Sequence, residues 1–239
     1  MARKKDIFHF KQFSVQHDRS SMKVGTDAVL IGAWTSLHKP KRILEVGTGS
    51  GVISLMLAQR TDHDTHIDAI DISPDDCEQA RENVLRSPWP QKITVQHQAL
   101  QQFQPPGEYD LIISNPPYFN KSQLPPSSKR SAARHTHALS YPDLLTHSKR
   151  LLQPDGRLAV ILPSEEGNQF TALASEAGLN CIRRLAFYSR REKPQERWLL
   201  EFSYGQKEIR EDEPLCLHAE GETWSPEYIE LTKDFYLHI

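Results

Sequence analysis

Residue types whose spacing could do chemistry fall in two short stretches. Glu45 to Gly51 reads Glu-Val-Gly-Thr-Gly-Ser-Gly and follows directly on the apolar run that begins at Arg42. Three alternating glycines between a strand and a helix let backbone approach a ligand closely, with helix N–H groups free to meet it. Gly47, Gly49 and Gly51 depart from the G-x-G-x-x-G spacing of dinucleotide sites, because Val52 stands three positions after Gly49. Asp71 ends the next apolar run, where a carboxylate can accept from both hydroxyls of a ribose. Asp68 falls on the opposite face by strand alternation. The second stretch, Asn115-Pro116-Pro117-Tyr118, follows Leu111 to Ser114. Its two prolines fix φ and stiffen the turn, so that the Asn115 side chain and the Pro116 carbonyl are presented with little local freedom. A plain strand-to-loop turn is the alternative reading of either stretch.

These groups converge only if the elements beneath them share one sheet. Apolar runs alternate with helical patterns from about residue 41 onward, the rhythm of a parallel sheet with helices on both faces. Strands are expected at Arg42 to Val46, His66 to Ile70, Lys92 to Gln96, Tyr109 to Ile113 and Arg157 to Leu162. Val52 to Gln59 has helical spacing. Ser73-Pro74 reads as a capped helix start, and that helix should stop near Ser87 because Pro88 follows. Helices are also expected from Asp143 to Leu152 and from Glu166 to Ala177, with Gly178 as C-cap and Pro154-Asp155-Gly156 as a turn. Cys181 to Phe187 and Arg197 to Phe202 suggest a hairpin with a long charged connection, and Ser225-Pro226 caps a last helix. Asn115 to Ser140, rich in Pro, Ser and Lys, reads as a long loop.

At 239 residues the chain suits one α/β domain, with the alternating core in residues 41–239 after an N-terminal segment of residues 1–40. The longest apolar runs fall short of a membrane span, and the basic N-terminus lacks the apolar stretch of a signal peptide, so a cytoplasmic protein is expected. Cys77, Cys181 and Cys216 are far apart and odd in number, which argues against disulfides and points to small buried residues. His63 and His66, like His135 and His137, lack a nearby third ligand and read as loop histidines, so no metal is expected. Arg183 to Arg197 carries six bases against two acids, whereas Gly205 to Ile239 carries three against nine. That asymmetry is compatible with a basic face for a phosphate backbone, and Arg190, Arg191 and Lys193 are candidate contacts.

The E-x-G-x-G-x-G pattern resembles the first motif of class I S-adenosylmethionine-dependent methyltransferases, and N-P-P-Y matches the motif of those acting on planar nitrogen. The resemblance implies a Rossmann-like fold with a mostly parallel seven-stranded sheet and a C-terminal antiparallel hairpin. It implies a glycine turn wrapping the amino-acid part of S-adenosylmethionine, with Glu45 beneath. An adenine amine is a poor nucleophile because its lone pair is delocalised. Acceptors at the Asn115 side chain and the Pro116 carbonyl would favour a pyramidal nitrogen and aim it at the methyl group, while Tyr118 stacks on the base.

Further residues narrow the likeness. Phe8 to Phe13, His17-Asp18-Arg19 and Met22 to Asp27 precede a short apolar helix ending near Trp34, and Asp234 to Leu237 closes the chain. This arrangement is similar to the bacterial family that forms N6-methyladenosine at position 37 of a valine tRNA. The likeness lays the Lys23 to Asp27 stretch, with Lys23, Gly25 and Thr26, across a cofactor also held by Gly47, Gly49, Gly51, Asp71 and Asn115. It makes residues 1–40 a cap over substrate and cofactor and residues 41–239 the catalytic core, implies tRNA as substrate, and leaves monomer as the default. One departure stands out: where many class I enzymes present an acid to the cofactor's adenine, this chain has Ala99, with Gln98, Gln101 or backbone groups as substitutes. Methylation of guanine N2 in ribosomal RNA or of a release-factor glutamine uses the same motif and remains open, as does a non-catalytic binding module.

Overall fold

The strands carry β-branched and apolar residues on both faces, as a parallel sheet covered by helices on each side requires. A computed structural model describes residues 6–118, 139–205 and 208–237. In chain order it contains β1 (Ile7–His9), β2 (Ser14–Gln16), α1 (Thr26–Trp34), β3 (Arg42–Val46), α2 (Val52–Arg60), β4 (His66–Asp71) and α3 (Pro74–Leu85). These are followed by β5 (Ile93–His97), a 3-10 turn at Leu100–Gln102, β6 (Tyr109–Ser114), α4 (Tyr141–Leu151), β7 (Leu152–Pro163) and α5 (Ser164–Glu176). The chain then forms β8 (Leu179–Tyr188), β9 (Arg197–Tyr204), β10 (Arg210–Glu211), β11 (Leu215–Cys216) and α6 (Pro226–Thr232).

The main sheet runs β5-β4-β3-β6-β7-β9-β8, with β10 and β11 both pairing with β8. Only β9 is antiparallel to its neighbours β7 and β8. The expected seven strands are therefore present. Two dipeptide strands from the acidic tail bring the sheet to nine, too short for any alternation to announce them. Alternate residues feed two cores: Ile43, Leu111, Ile113, Ala159 and Ile161 face α1 and α2, whereas Leu44, Ile112, Leu158, Val160 and Leu162 face α4 and α5. The crossover from β5 back to β6, on the far side of β3, opens a crevice at the carboxyl ends of β3 and β6, the usual ligand position in such sheets.

Ser73 and Ser225 cap helices as expected, and Ser140, read as the end of a loop, caps α4 ahead of the expected start at Asp143. Ser73, Ser140 and Ser225 each accept an amide hydrogen bond from the third residue on, with proline in the first turn. The expected turn at Pro154-Asp155-Gly156 is instead part of β7. Register shifts there, so that Tyr109 pairs with Leu152 but Leu111 with Arg157, and the extra residues bulge out of the ladder. Gly156 allows this: a Cβ would meet the Tyr109 and Gln153 carbonyl oxygens at 2.8 and 2.9 Å. Cys77 and Cys181 are buried as expected, but Cys216 is only half-buried. Most of the expected Asn115 to Ser140 loop, with His135 and His137, lies outside the described residues.

The N-terminal segment is held by contacts invisible in linear sequence. β1 and β2 pair as a hairpin. Phe10 then bridges to Tyr236 near the C-terminus, stacking with it at 6.0 Å and with Phe13 at 4.6 Å. Further on, three buried polar residues on one face of α3 fasten the strap: Asn83 exchanges hydrogen bonds with the Gln16 backbone, Gln79 accepts from the Arg19 amide, and Asp76 accepts from the Ser21 amide. Spaced i, i+3 and i+7, they replace the backbone partners an irregular segment lacks. The strap so anchored delivers Lys23, Gly25 and Thr26 to the crevice.

Candidate active site

A cleft of about 640 Å³ occupies the carboxyl ends of β3, β4 and β6, inside the range of small-molecule sites. Its wall includes Lys23, Gly25, Thr26, Gly47, Gly49, Asp71, Asn115 and Pro116. Sequence-expected residues from four separate segments are thus brought together. Gly47 and Gly49 adopt φ of +78° and +52°, and a Cβ at either would meet nothing within 4 Å, so the turn presents bare backbone to open space. Asp71 accepts from the Gly49 amide at 2.9 Å and the Ser73 amide at 2.9 Å. Burial raises its pKa and these amides offset part of the rise.

Glu45, Gly51 and Tyr118 do not line the cleft; each supports it from outside. Glu45 is fully buried beneath the turn, where one carboxylate oxygen accepts from the Thr48 hydroxyl (2.8 Å) and from the amide (3.1 Å) and hydroxyl of Ser54. Burial pushes its pKa up to about 7 against the pull of those Ser54 and Thr48 bonds, with Asp71's charge adding to the rise. Gly51, at φ +82°, caps α2 and lies against Ala80. Tyr118 sits behind Asn115. Its hydroxyl lies 2.6 Å from an Asp27 carboxylate oxygen and 3.0 Å from the Asn115 side-chain oxygen. Burial, and then the charge and hydrogen bond of Asp27, raise its pKa well above the usual phenol range, so it stays protonated.

Arg197 was not among the expected site residues and Asp27 entered only as the end of the Lys23 to Asp27 stretch, yet both line the cleft. The Arg197 Nε donates to Asp27 at 2.9 Å, and its guanidinium lies 5.3 Å from the Tyr118 ring centroid. Asp27 had a weak signal, as the last residue of the Met22 to Asp27 stretch. Arg197 had none beyond its place at a strand start. Gln98 and Gln101 line the cleft and Ala99 does not, so glutamine amides stand near the place where an acid was missing. Among the described residues no group of three or more His, Cys, Asp and Glu is placed to hold a metal ion, and no helix is long and apolar enough to cross a membrane.

Candidate phosphate contacts separate into two kinds. Arg190 donates to the Glu222 carboxylate at 2.7 Å and to the Gly221 carbonyl, so it is engaged by the acidic tail. Arg183 and Arg184 likewise pair with Asp212 and Glu211. Arg191 and Lys193 are exposed and make no ion pair with a described residue. Much of the basic cluster is therefore neutralised within the chain, which the linear charge pattern did not reveal.

The sheet order and the glycine turn below a ligand-sized cleft define a class I methyltransferase architecture. Solved structures agree: a predicted O-methyltransferase from Agrobacterium tumefaciens superposes with a TM-score of 0.68 at 17% identity, over 87% of this chain and 96% of that one. A ribosomal protein L11 methylase from Lactobacillus delbrueckii subsp. bulgaricus gives 0.57 at 16% identity, over 83% and 100%. At such identities these likenesses concern the fold alone. A family model, the methyltransferase small domain, matches residues 20–178. The tRNA1(Val) (adenine(37)-N6)-methyltransferase of Tolumonas auensis is 46% identical over 232 residues, 97% of each chain, and that of Parabacteroides distasonis is 44% identical over 96% of this chain and 97% of its own. The chain belongs to this family of methyltransferases.

Proposed function

We propose that this chain methylates N6 of an adenine in tRNA, adenine 37 of a valine tRNA, using S-adenosylmethionine. The observation that carries the reading is the position of Asn115 and Pro116, which line the same cleft as Gly47, Gly49 and Asp71. The relatives named above supply the substrate. The residues present fit the cofactor: a bare glycine turn for its amino-acid part, and the strand-end carboxylate of Asp71 for a ribose. Lys23, Gly25 and Thr26 line the same cleft. When bound, S-adenosylmethionine supplies an electrophilic sulfonium methyl group.

The chain's own contribution is orientation and hydrogen bonding. The Asn115 side-chain oxygen and the Pro116 carbonyl accept the two amine hydrogens, which localises the nitrogen lone pair and points it into the cleft. Tyr118, expected to stack on the extruded base, stands outside the cleft wall with Arg197 against its ring and instead supports Asn115, its hydroxyl held by Asp27. The working form is a monomer acting on tRNA in the cytoplasm, with residues 1–40 capping a single catalytic unit.

The test is transfer of labelled methyl groups from S-adenosylmethionine to unmodified cellular RNA, followed by nucleoside analysis and mapping. Label in N6-methyladenosine of a tRNA is expected; label in guanosine or only in protein overturns the substrate. Asn115→Ala should lower kcat by at least about 100-fold and leave S-adenosylhomocysteine affinity within a few-fold. Full activity in that variant would remove Asn115 from the chemistry.

A further inference from the structure

The Tyr118 hydroxyl has one proton and two acceptors within reach. Asp27 offers a carboxylate oxygen at 2.6 Å, and Asn115 offers its amide oxygen at 3.0 Å. If the proton turned to Asn115, it would take one of the two lone pairs of the oxygen that the functional reading above assigns to the substrate amine, and weaken that oxygen as an acceptor. A charged acceptor at shorter distance wins such a competition, because charge-assisted hydrogen bonds are about twice as strong as neutral ones. Arg197 fixes that acceptor in place: its Nε donates to the same Asp27 oxygen at 2.9 Å, and its guanidinium lies over the Tyr118 ring. All three side chains are partly buried, at 26% exposure for Arg197 and 20% for Asp27, where competition from water is reduced.

We propose that Asp27, anchored by Arg197, is a positioning residue that draws the Tyr118 proton away from Asn115 and so keeps the Asn115 oxygen at full strength as an acceptor for the substrate amine. This rests on the adenine-methylating reading. Asp27 acts through Tyr118 and touches no reacting atom. Its contribution therefore vanishes once the hydroxyl is removed, which a role in folding or in cofactor binding would not do. The elements involved are far apart in sequence, with Asp27 in the first turn of α1, Tyr118 beyond β6 and Arg197 at the start of β9. The device therefore also ties the cleft's two sides together around Asn115.

The experiment is a double-mutant cycle on tRNA transcripts. Asp27→Asn should lower kcat about tenfold or more in the wild-type background and less than about threefold when combined with Tyr118→Phe. Equal losses in both backgrounds would overturn the proposal. S-adenosylhomocysteine affinity, measured by calorimetry without turnover, should stay within about threefold in Asp27→Asn. A loss above tenfold would make Asp27 a cofactor contact and overturn it as well. If Asp27→Asn does not fold, as judged by its circular dichroism melt, Arg197→Gln enters the same cycle and must show the same dependence on the hydroxyl. Wild-type enzyme run alongside separates the two failures. No N6-methyladenosine from wild type defeats the functional reading, whereas equal losses with active wild type defeat the positioning role alone.

Discussion

The Gly49 amide donates to one Asp71 carboxylate oxygen across 2.9 Å, while the Ser73 amide donates to the other at the same distance. Asp71 thus joins the glycine turn after β3 to the end of β4, and each oxygen still has a lone pair for a ligand hydroxyl. Replacing it with alanine removes the ribose acceptor and frees the turn it braces. Asp71→Ala should weaken S-adenosylhomocysteine binding at least tenfold by calorimetry, with a melting temperature lower by a few degrees. Unchanged affinity would place the ribose elsewhere.

Gly49 and Gly51 differ in what they do, and substitution should separate them. Gly51 combines φ +82° with a Cβ contact of 3.3 Å to Ala80, so alanine there meets both strain and crowding. Gly49, at φ +52°, has open space around its Cβ and sits in the left-handed region that alanine tolerates at a cost of about 1 kcal/mol. Gly51→Ala should therefore destabilise the fold more, by about 2 kcal/mol against about 1 for Gly49→Ala in urea unfolding. Cofactor affinity should rank them the other way, because a methyl on Gly49 stands in the cleft wall. The same order in both measurements would contradict this division.

The sequence was most legible where a single local rule decides. Ser73-Pro74 and Ser225-Pro226 announce helix starts, and runs such as Leu111 to Ser114 can only be buried strands in a chain of this rhythm. The cofactor turn and the Asn115 motif were legible for the same reason: each is contiguous, and strand ends place them. The pairing of Asp27 with Arg197 was not, because that contact spans 170 positions and either charge alone reads as surface. The α3 stripe of Asp76, Gln79 and Asn83 was hidden differently. Polar residues on a helix normally mark its solvent face, and here that face is buried beneath the N-terminal strap.

Arg191 and Lys193 lie in the connection between β8 and β9, whose end residues Ser189 and Glu196 line the cleft. Both are exposed, while Arg190 beside them is held by Glu222. Two cations that pair with no described residue, at the rim of a site proposed to take tRNA, are placed to meet phosphate. Arg191→Ala/Lys193→Ala should weaken tRNA binding several-fold at moderate salt and leave S-adenosylhomocysteine affinity unchanged. The slope of log affinity against log salt should fall by roughly 1.4–1.8, the loss expected for two phosphate contacts. An Arg190→Ala variant is the matched control, with a smaller effect on that slope. Should the two slopes change equally, the tail does not neutralise Arg190 in the complex.

Glu45 makes stability depend on pH in a direction opposite to that of an ordinary surface-paired carboxylate. Its folded pKa is raised to about 7, chiefly by burial, against an unperturbed 4.5. Between those values the folded state holds a proton that the unfolded state has lost. Stability is therefore fully present below about pH 4.5 and declines as pH rises through about 7, by at most about 3 kcal/mol. Glu45→Gln cannot titrate, and its amide oxygen can keep the Thr48 and Ser54 donors. Urea unfolding at pH 5 and pH 8 should show wild type losing about 2–3 kcal/mol relative to the variant across that interval. The free Glu45 oxygen has no partner among the described residues, so the variant's absolute stability depends on how its amide nitrogen is accommodated. The difference between the two pH values does not, because that cost is the same at both. Parallel profiles for the two proteins would mean that Glu45 stays charged in the folded state despite its burial.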